Sequence, residues 1–220
     1  MFISREDISR LTIQRMVLYH SVLKLMQEEG ITVCISKELG RRTGISPHLI
    51  RKDLAYFGGF GTKGVGYETD YLFRRIEEIL GYDTSWNTVL VGLDMPTVVP
   101  VMCYSRLWPE AIKIVAIIDL GKKNQGMAVH NLGLTIEPIE NIKDIICSRK
   151  ITIGILAVPP SYAQKTANQL IRAGIKGIVN FSSFPIFAPE DIAITQVNMT
   201  SMFSQLTFDL KHVATNGSCS

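Results

Sequence analysis

The sequence offers little that would hold a metal ion or a disulfide framework. Its cysteines form no C-x-x-C pair, and the histidines do not cluster beside them; the cysteines are Cys34, Cys103, Cys147 and Cys219. Structural zinc sites need closely spaced thiol and imidazole ligands, and disulfide scaffolds need regularly spaced cysteines. We therefore expect neither a metal site nor a disulfide framework.

Long apolar runs are also missing. No stretch approaches the length needed to span a bilayer. The first seven residues, M-F-I-S-R-E-D, carry charges where a secretory signal peptide has an apolar segment. These absences favour a cytoplasmic location.

No single sign of charge dominates the composition. The 220 residues are 46% hydrophobic and 20% charged, with a net charge of +3, as in ordinary soluble proteins of one large or two small domains. The basic residues are nevertheless unevenly distributed, with six of them and two acidic residues between Lys37 and Lys63. A local basic patch is typical of nucleic-acid binding, although a solvated surface has the same composition.

The first eighty residues have a helical pattern. Ser9 is positioned to cap a helix over 9–29, whose apolar stripe is Leu11, Val17, Leu18, Val22, Leu25 and Met26. Ser36 is expected to cap a short helix that Gly44 ends. Ser46 and Pro47 then open a helix to about Phe57, and a helix over 68–80 ends at Gly81. Two helices joined by a tight glycine-containing turn predict a helix-turn-helix.

The helix after Ser46 has two distinct faces. Ile50, Leu54 and Phe57 form the predicted core face, while the opposite face carries His48, Arg51, Lys52 and Ala55. A helix in the major groove needs this arrangement, because Arg51 would contact a guanine edge while Lys52 and Ser46 bind phosphates.

The glycine-rich run that follows, with five glycines from Gly58 to Gly66, predicts a β-hairpin wing whose cation is Lys63. The candidate DNA-binding residues are Arg10, Ser46, Pro47, His48, Arg51, Lys52, Tyr56, Lys63 and Gly64. The alternative is a helical hairpin with a solvated basic face and a flexible loop.

From Trp86 the pattern changes to short β-branched runs that alternate with helices. Strands are predicted at 88–93, 112–118, 151–158 and 175–181, and helices at 96–106, 138–148 and 161–173. This alternation predicts a parallel, doubly wound sheet. The boundary falls at 82–86, and a last helix with a wide Met- and Phe-rich stripe covers 198–213.

Three stretches resemble motifs of the Rex family of redox-sensing repressors. H-L-I-R-K-D-L-A-Y-F-G-G-F-G-T-K-G-V-G-Y resembles its recognition helix and wing, and A-V-P-P-S-Y-A-Q-K-T-A and A-G-I-K-G-I-V-N-F resemble its nucleotide-domain motifs. The resemblance implies an α/β fold, with a winged-helix DNA-binding domain at 1–81, a Rossmann-like domain at 86–197 and a swapped dimerisation helix at 198–213. It also implies a homodimer that binds operator DNA and releases it when NADH displaces NAD.

The expected phosphate loop departs from the dinucleotide pattern. G-x-G-x-x-G corresponds here to Gly92, Leu93, Asp94, Met95, Pro96 and Thr97, so only the first glycine remains. An acid at Asp94 repels a phosphate about 4 Å away by on the order of 4 kcal/mol before screening. Pro96 removes an N–H group from the helix start, where anions bind. The loop therefore predicts a weakened response to NAD or NADH.

Other features of a nucleotide site are present. Asp119, at the end of a strand, is the residue type that holds a ribose, although a strand-end cap is equally consistent with it. The resemblance adds Pro159, Asn180 and Phe181 near the cofactor, where a turn and a core position are the alternatives for Pro159 and Phe181.

The resemblance also locates two changed charges. The family usually has an arginine at the position of Ser21 and an aspartate at that of Asn198, and these form an inter-subunit ion pair. Both residues are neutral here, which predicts an altered switch.

Three functions remain open. The first is a homodimeric repressor with an altered cofactor response. The second is a DNA-binding regulator with another ligand or none. The third is a small NAD-dependent enzyme, for which the sequence shows no catalytic pair.

Overall fold

The computed structural model describes residues 8–62, 64–92, 109–130 and 132–213. The chain divides between Thr84 and Ser85 into two compact units. Each unit has its own hydrophobic core. The predicted helix at 96–106 lies outside the described residues.

The first unit is mainly helical, as predicted. Its helices are α1 (Arg10–Glu28), α2 (Ser36–Thr43), α3 (Pro47–Phe57) and α4 (Thr69–Leu80), and its two short strands are β1 (Val33–Cys34) and β2 (Tyr67–Glu68). Ser9 caps α1 and Ser46 caps α3, each by accepting a hydrogen bond from a first-turn N–H group. The prediction for Ser36 is wrong: it is the first residue of α2 and makes no capping bond, since Ile35 occupies the cap position.

The buried face of α1 differs from the predicted stripe. Val22 and Met26 are buried as expected, together with Met16, Tyr19 and Leu23. Leu11, Val17, Leu18 and Leu25 are instead exposed, Leu11 by 64% and Leu25 by 53%. The predicted stripe was wrong in four of its six residues. Because α1 has apolar residues on two faces, the sequence alone did not show which face is buried. These four side chains form an outer face of α1 that stays exposed among the residues that the structure describes.

The predicted hairpin is present only at its tip. Thr62 and Gly66 exchange two backbone hydrogen bonds of 3.0 and 3.1 Å, which closes a tight turn over residues 62–66. The strand that follows, β2, pairs with β1 rather than with the glycine run. Lys63, the cation predicted for the wing, lies outside the described residues.

The second unit contains a seven-stranded sheet. Its strands are β3 (Trp86–Val91), β4 (Ile112–Asp119), β5 (Ala128–Val129), β6 (Leu134–Pro138), β7 (Ile153–Leu156), β8 (Gly177–Asn180) and β9 (Ala193–Gln196). The sequence missed β5, β6 and β9, which are only two, five and four residues long. β6, L-T-I-E-P, does alternate apolar and polar residues, so its signal was present but was overlooked.

The strand order is that of a dinucleotide-binding fold. It reads β5-β6-β4-β3-β7-β8-β9, and every pair is parallel except β5 with β6. The chain moves outward from β3 through β4 to β6, and then returns to build β7, β8 and β9 on the other side of β3. Ligands of such sheets bind where this order reverses, at the carboxyl ends of the two central strands.

The described helices of this unit lie between strands and at the end. They are α5 (Ile142–Ser148), preceded by a 3₁₀ turn (Ile139–Asn141), α6 (Pro160–Arg172) and α7 (Met199–Val213). None of the helices in the described ranges is long and apolar enough to cross a membrane.

Candidate DNA-binding face and nucleotide edge

The predicted recognition helix, α3, presents the predicted polar face to solvent. His48, Arg51, Lys52 and Ala55 are exposed, as is Tyr56, whereas Ile50 and Leu54 are buried and Phe57 is half-buried against the same core. Pro47 occupies the first turn behind the Ser46 cap. A helix packed on one side and polar on the other is suited to enter a major groove.

Asp53 is a buried acid on α3 that the sequence analysis did not single out. Its carboxylate accepts hydrogen bonds of 2.6 and 2.7 Å from Arg15 of α1. Tyr19, also on α1, donates a third bond of 2.8 Å. Burial, reinforced by the bond to Asp53, raises the pKa of the Tyr19 hydroxyl. The position of Asp53 between Ile50 and Leu54, at the edge of the buried face, was the signal available in the sequence.

The three-residue network fixes α3 against α1. A bidentate arginine–carboxylate contact restricts both side chains in distance and orientation. Removing Arg15 would leave the buried carboxylate of Asp53 without its cation, which costs far more than an exposed ion pair contributes. The inner side of the recognition helix is therefore held in place independently of its outer face.

The basic patch of the sequence is partly neutralised in the fold. Arg41 and Arg42 both bind Glu38, at 2.7 Å each, and Arg42 also binds Glu29 at 2.7 Å. The two guanidinium groups, Arg41 first, lower the pKa of Glu38 to about 2. Lys37, Arg51 and Lys52 have no carboxylate partner among the described residues. These three cations are the part of the patch whose charge stays available to DNA.

Two clefts flank the recognition helix. One, of about 500 Å³, lies between α3 and the glycine-rich turn and is lined by Arg51, Ser36 and Gly64 among others. The other, of about 230 Å³, lies between α3 and the start of α1 and is lined by Lys52, Tyr56 and Ser9 among others. Arg10 is exposed at the first position of α1. A DNA backbone on each side of a groove-bound helix would pass over such clefts.

The carboxyl edge of the sheet brings the nucleotide candidates onto adjacent strand ends. Gly92, at the end of β3, donates to Ile118 O, next to Asp119, at 2.8 Å. Ala157, which precedes Pro159 by two residues, donates to Val91 O at 2.8 Å. Phe181 donates to Leu156 O at 2.8 Å. The strand ends that a nucleotide would contact are therefore adjacent to one another.

Gly92 has the role expected of a first fingerprint glycine. Its φ is +98°, and a Cβ there would lie 2.3 Å from the carbonyl oxygen of Ala157. No other residue fits this turn without moving the backbone. The rest of the loop, Leu93, Asp94, Met95, Pro96 and Thr97, lies outside the described residues, so its predicted effect on phosphate stays a prediction.

The other polar side chains at this edge are hydrogen-bonded to neighbouring residues of the protein. Asp119 is buried, and its two carboxylate oxygens accept hydrogen bonds of 2.9 Å from Leu120 N and from Asn124. These bonds are those of a strand-end cap, the alternative that the sequence left open. They leave less of the carboxylate for a ribose hydroxyl.

The side chain of Asn180 is also hydrogen-bonded within the protein, and it stabilises the turn that follows β8. Its amide donates to Phe184 O at 2.9 Å and to Gln196 at 2.7 Å, and its oxygen accepts from Ser182 N at 2.9 Å. Pro159 stands at the cap position of α6, and Phe181 packs against the core on one face of the sheet. Pro159 and Phe181 thus have the turn and core roles that were the alternatives to cofactor binding. Contact of these residues with a cofactor stays a prediction.

The two positions with changed charges are satisfied locally. Ser21 is exposed on α1, and its hydroxyl donates to Val17 O at 3.1 Å. Asn198 precedes α7 and accepts a hydrogen bond of 3.0 Å from Ser201 N, as a helix cap does. Neither neutral side chain needs an ionic partner.

A metal site is not formed by the described part of the chain, in which no group of three His, Cys, Asp or Glu side chains is arranged to hold an ion. Cys34 and Cys147 are free. Burial raises the pKa of the Cys34 thiol to about 11, which makes it unreactive.

Comparison with known proteins gives matches to both units. A family of putative DNA-binding protein N-termini matches residues 7–55, and a CoA binding domain family matches residues 105–184. The redox-sensing transcriptional repressor Rex of Syntrophobacter fumaroxidans is 35% identical over 199 residues, 90% of this chain and 94% of that protein. Rex of Brevibacillus brevis is 35% identical over 205 residues, 93% of this chain and 98% of that protein.

Solved structures match along nearly the whole length. RSP, a Rex-family repressor, in complex with β-NAD⁺ and operator DNA superposes with a TM-score of 0.86 at 29% identity, covering 94% of each chain. RSP in complex with β-NADH gives a TM-score of 0.81 at 28% identity, covering 94% of this chain and 96% of that one. The likeness therefore includes both the helix-turn-helix unit and the sheet unit.

Proposed function

Since the chain belongs to the Rex family of redox-sensing transcriptional repressors, we propose that it represses transcription by binding a palindromic operator as a homodimer. The observation that carries this proposal is the exposed polar face of α3, held from behind by the buried Asp53 network. His48, Arg51 and Lys52 enter the major groove, Ser46 and Arg10 lie by phosphates, and the turn of Lys63 and Gly64 reaches the minor groove. A repressor acts where the chromosome is, so the location is cytoplasmic.

Each proposed role belongs to one continuous segment of the chain. Residues 1–81 bind DNA, residues 86–197 sense a nucleotide, and residues 198–213 join two copies. The relatives are repressors, so the sheet unit serves sensing rather than oxidoreductase chemistry. The solved Rex-family relatives hold NAD⁺ or NADH, and the proposed site for such a ligand is at the carboxyl ends of β3 and β7, beside Gly92; the reversal of strand order between these two strands supports it.

Self-association is supported by two uncovered apolar surfaces. α7 exposes Met202 by 67%, Phe203 by 63% and Leu210 by 59%. The outer face of α1 exposes Leu11, Leu18 and Leu25 at intervals of one heptad. Apolar patches of this kind mark interaction surfaces, and two recognition helices are what a palindrome requires.

Sedimentation of the full chain tests the dimer. Phe203→Lys should shift the protein from dimer to monomer, whereas Thr207→Lys on the same helix, at a polar position, should leave the dimer intact. A wild-type monomer at all concentrations would remove this part of the proposal.

Binding to DNA is tested by selecting duplexes from a random pool with the full-length protein. The proposal expects palindromic sequences whose half-site centres lie about one helical turn apart. A pool that stays random after selection would contradict it.

A second candidate keeps the DNA binding but changes the ligand. Two observations favour it: the sequence at 92–97 lacks two fingerprint glycines, and Asp119 is engaged by Leu120 and Asn124. Calorimetric titration with NAD and with NADH separates the candidates. Tight NADH binding that releases DNA supports redox sensing, and the absence of binding supports the second candidate.

A further inference from the structure

Arg51 is held by a neighbouring hydroxyl rather than by an acid. Its Nη1 donates a hydrogen bond of 2.8 Å to Oγ of Ser36, at the first position of α2. The two residues are fifteen apart in sequence and lie on the two helices of the helix-turn-helix. Ser36 does not cap its own helix, so this contact is the function that the structure shows for its hydroxyl.

The contact is made between rigid parts. The turn between α2 and α3 is held by Thr43, whose hydroxyl donates to Leu39 O at 2.7 Å and accepts from Ile45 N at 3.3 Å. Gly40 allows the turn to pack closely, because a Cβ there would lie 2.6 Å from the carbonyl oxygen of Ile45. The distance between the start of α2 and the outer face of α3 is therefore set by the backbone, and the hydroxyl has a fixed position.

Comparison with the nearby arginines shows what the hydroxyl provides. Arg41 and Arg42 are bound by carboxylates, which orient them but cancel their charge and occupy paired N–H groups. Arg51 is oriented by a neutral group through a single N–H, so its charge and its remaining donors stay available. A bidentate contact to a guanine edge needs a pair of such donors.

We propose that Ser36 is a positioning residue for base recognition, which holds the guanidinium of Arg51 in the orientation that contacts DNA. This inference rests on the proposed function. A long arginine side chain loses much rotamer freedom when it binds, and prior orientation lowers that loss. The hydrogen bond is exposed to solvent, so it contributes to recognition and not to the stability of the fold.

The test uses the full-length protein, a palindromic duplex that it selects from a random pool, and the same duplex with the base pairs of each half-site shuffled. Ser36→Ala should lower affinity for the selected duplex about two- to tenfold and leave affinity for the shuffled duplex unchanged. Ser36→Thr, which keeps a hydroxyl, should restore the affinity. The midpoint of thermal unfolding should be unchanged in Ser36→Ala and lowered in the matched Ser46→Ala, which removes a true cap.

A double-mutant cycle isolates the coupling to Arg51. If Ser36 acts through Arg51, adding Ser36→Ala to Arg51→Ala should cause no further loss. An undiminished loss in that background, or an equal loss on both duplexes, would mean that Ser36 binds phosphate itself and would overturn the inference. No loss in the single variant would overturn it as well. A wild-type protein that does not distinguish the two duplexes would instead remove the proposed function.

Discussion

The outer face of α3 and the carboxyl edge of the sheet are both predicted binding surfaces, but the fold treats their polar groups differently. On α3, His48, Arg51 and Lys52 are exposed and none has a carboxylate partner among the described residues. At the sheet edge, Asp119 and Asn180 are buried and bound by their own neighbours. The first surface therefore has cationic side chains available to a negatively charged partner. In the second surface, part of the hydrogen-bonding capacity of these side chains is already used within the protein, which leaves fewer polar groups for a ligand.

The difference also explains how far the sequence could predict each surface. Helical periodicity fixes which side chains share a face, so the exposed side of α3 follows directly from the spacing of Ile50 and Leu54. A strand-end site depends on which loop atoms turn back onto it. Nothing in the sequence shows that Asn124 reaches Asp119, or that Asn180 binds across to Gln196.

The fold was predictable to a similar extent. The helices, their caps at Ser9 and Ser46, and the four central strands follow from periodicity and turn chemistry. Three strands were missed: β5 and β9 because tertiary pairing, rather than local pattern, forms them, and β6 although its residues alternate. The buried face of α1 was misassigned because its second apolar face contains three leucines, and one chain alone does not show which face is covered.

The largest expected effect concerns what holds α3 in place. Asp53→Ala should lower the free energy of unfolding by about 3–5 kcal/mol, because it leaves the partly buried Arg15 guanidinium and the buried Tyr19 hydroxyl without their shared acceptor. Denaturant unfolding of the full chain measures this. Glu38→Ala, which removes the exposed carboxylate that Arg41 and Arg42 share, is the matched control and should cost far less. Equal effects of the two substitutions would show that Asp53 is not a buried anchor.

Removing the third member of the network should have a smaller effect and a pH signature. Tyr19→Phe deletes a hydrogen bond to a charged group, which is worth about 1.5–3 kcal/mol. Because folding raises the pKa of Tyr19, its contribution is fully present below about pH 10 and is lost as pH rises toward the folded pKa. Stability measured between pH 8 and 12 should therefore fall less steeply in Tyr19→Phe than in the wild type. Parallel curves would contradict the assignment.

Substitutions on the outer face of α3 should change DNA binding rather than the stability of the fold. Arg51→Ala should weaken binding to the selected palindrome by about 1–3 kcal/mol and relax base preference at one position of each half-site. Lys52→Ala, beside it, should weaken binding to all sequences alike and reduce the salt dependence. Fluorescence anisotropy at several salt concentrations distinguishes the two. An Arg51→Ala protein with unchanged base preference would place base reading elsewhere.

The smallest expected effect lies at the sheet edge. Asp94→Gly should improve the affinity for NADH by about 1 kcal/mol, after solvent screening of the repulsion between carboxylate and phosphate. Isothermal titration of the variant and the wild type measures it, and Asp144→Gly, on an acid distant in sequence from the loop, serves as the control. Identical affinities in Asp94→Gly and wild type would mean that the phosphates bind away from residue 94.

The affinity of the wild-type protein for its selected palindrome, measured beside a shuffled duplex of the same composition at physiological salt, tests the central claim most directly. The account predicts that the full-length chain prefers the palindrome by about a thousandfold or more. Equal affinity for the two duplexes would contradict it, because the exposed side of α3 would then carry charge to DNA without reading bases.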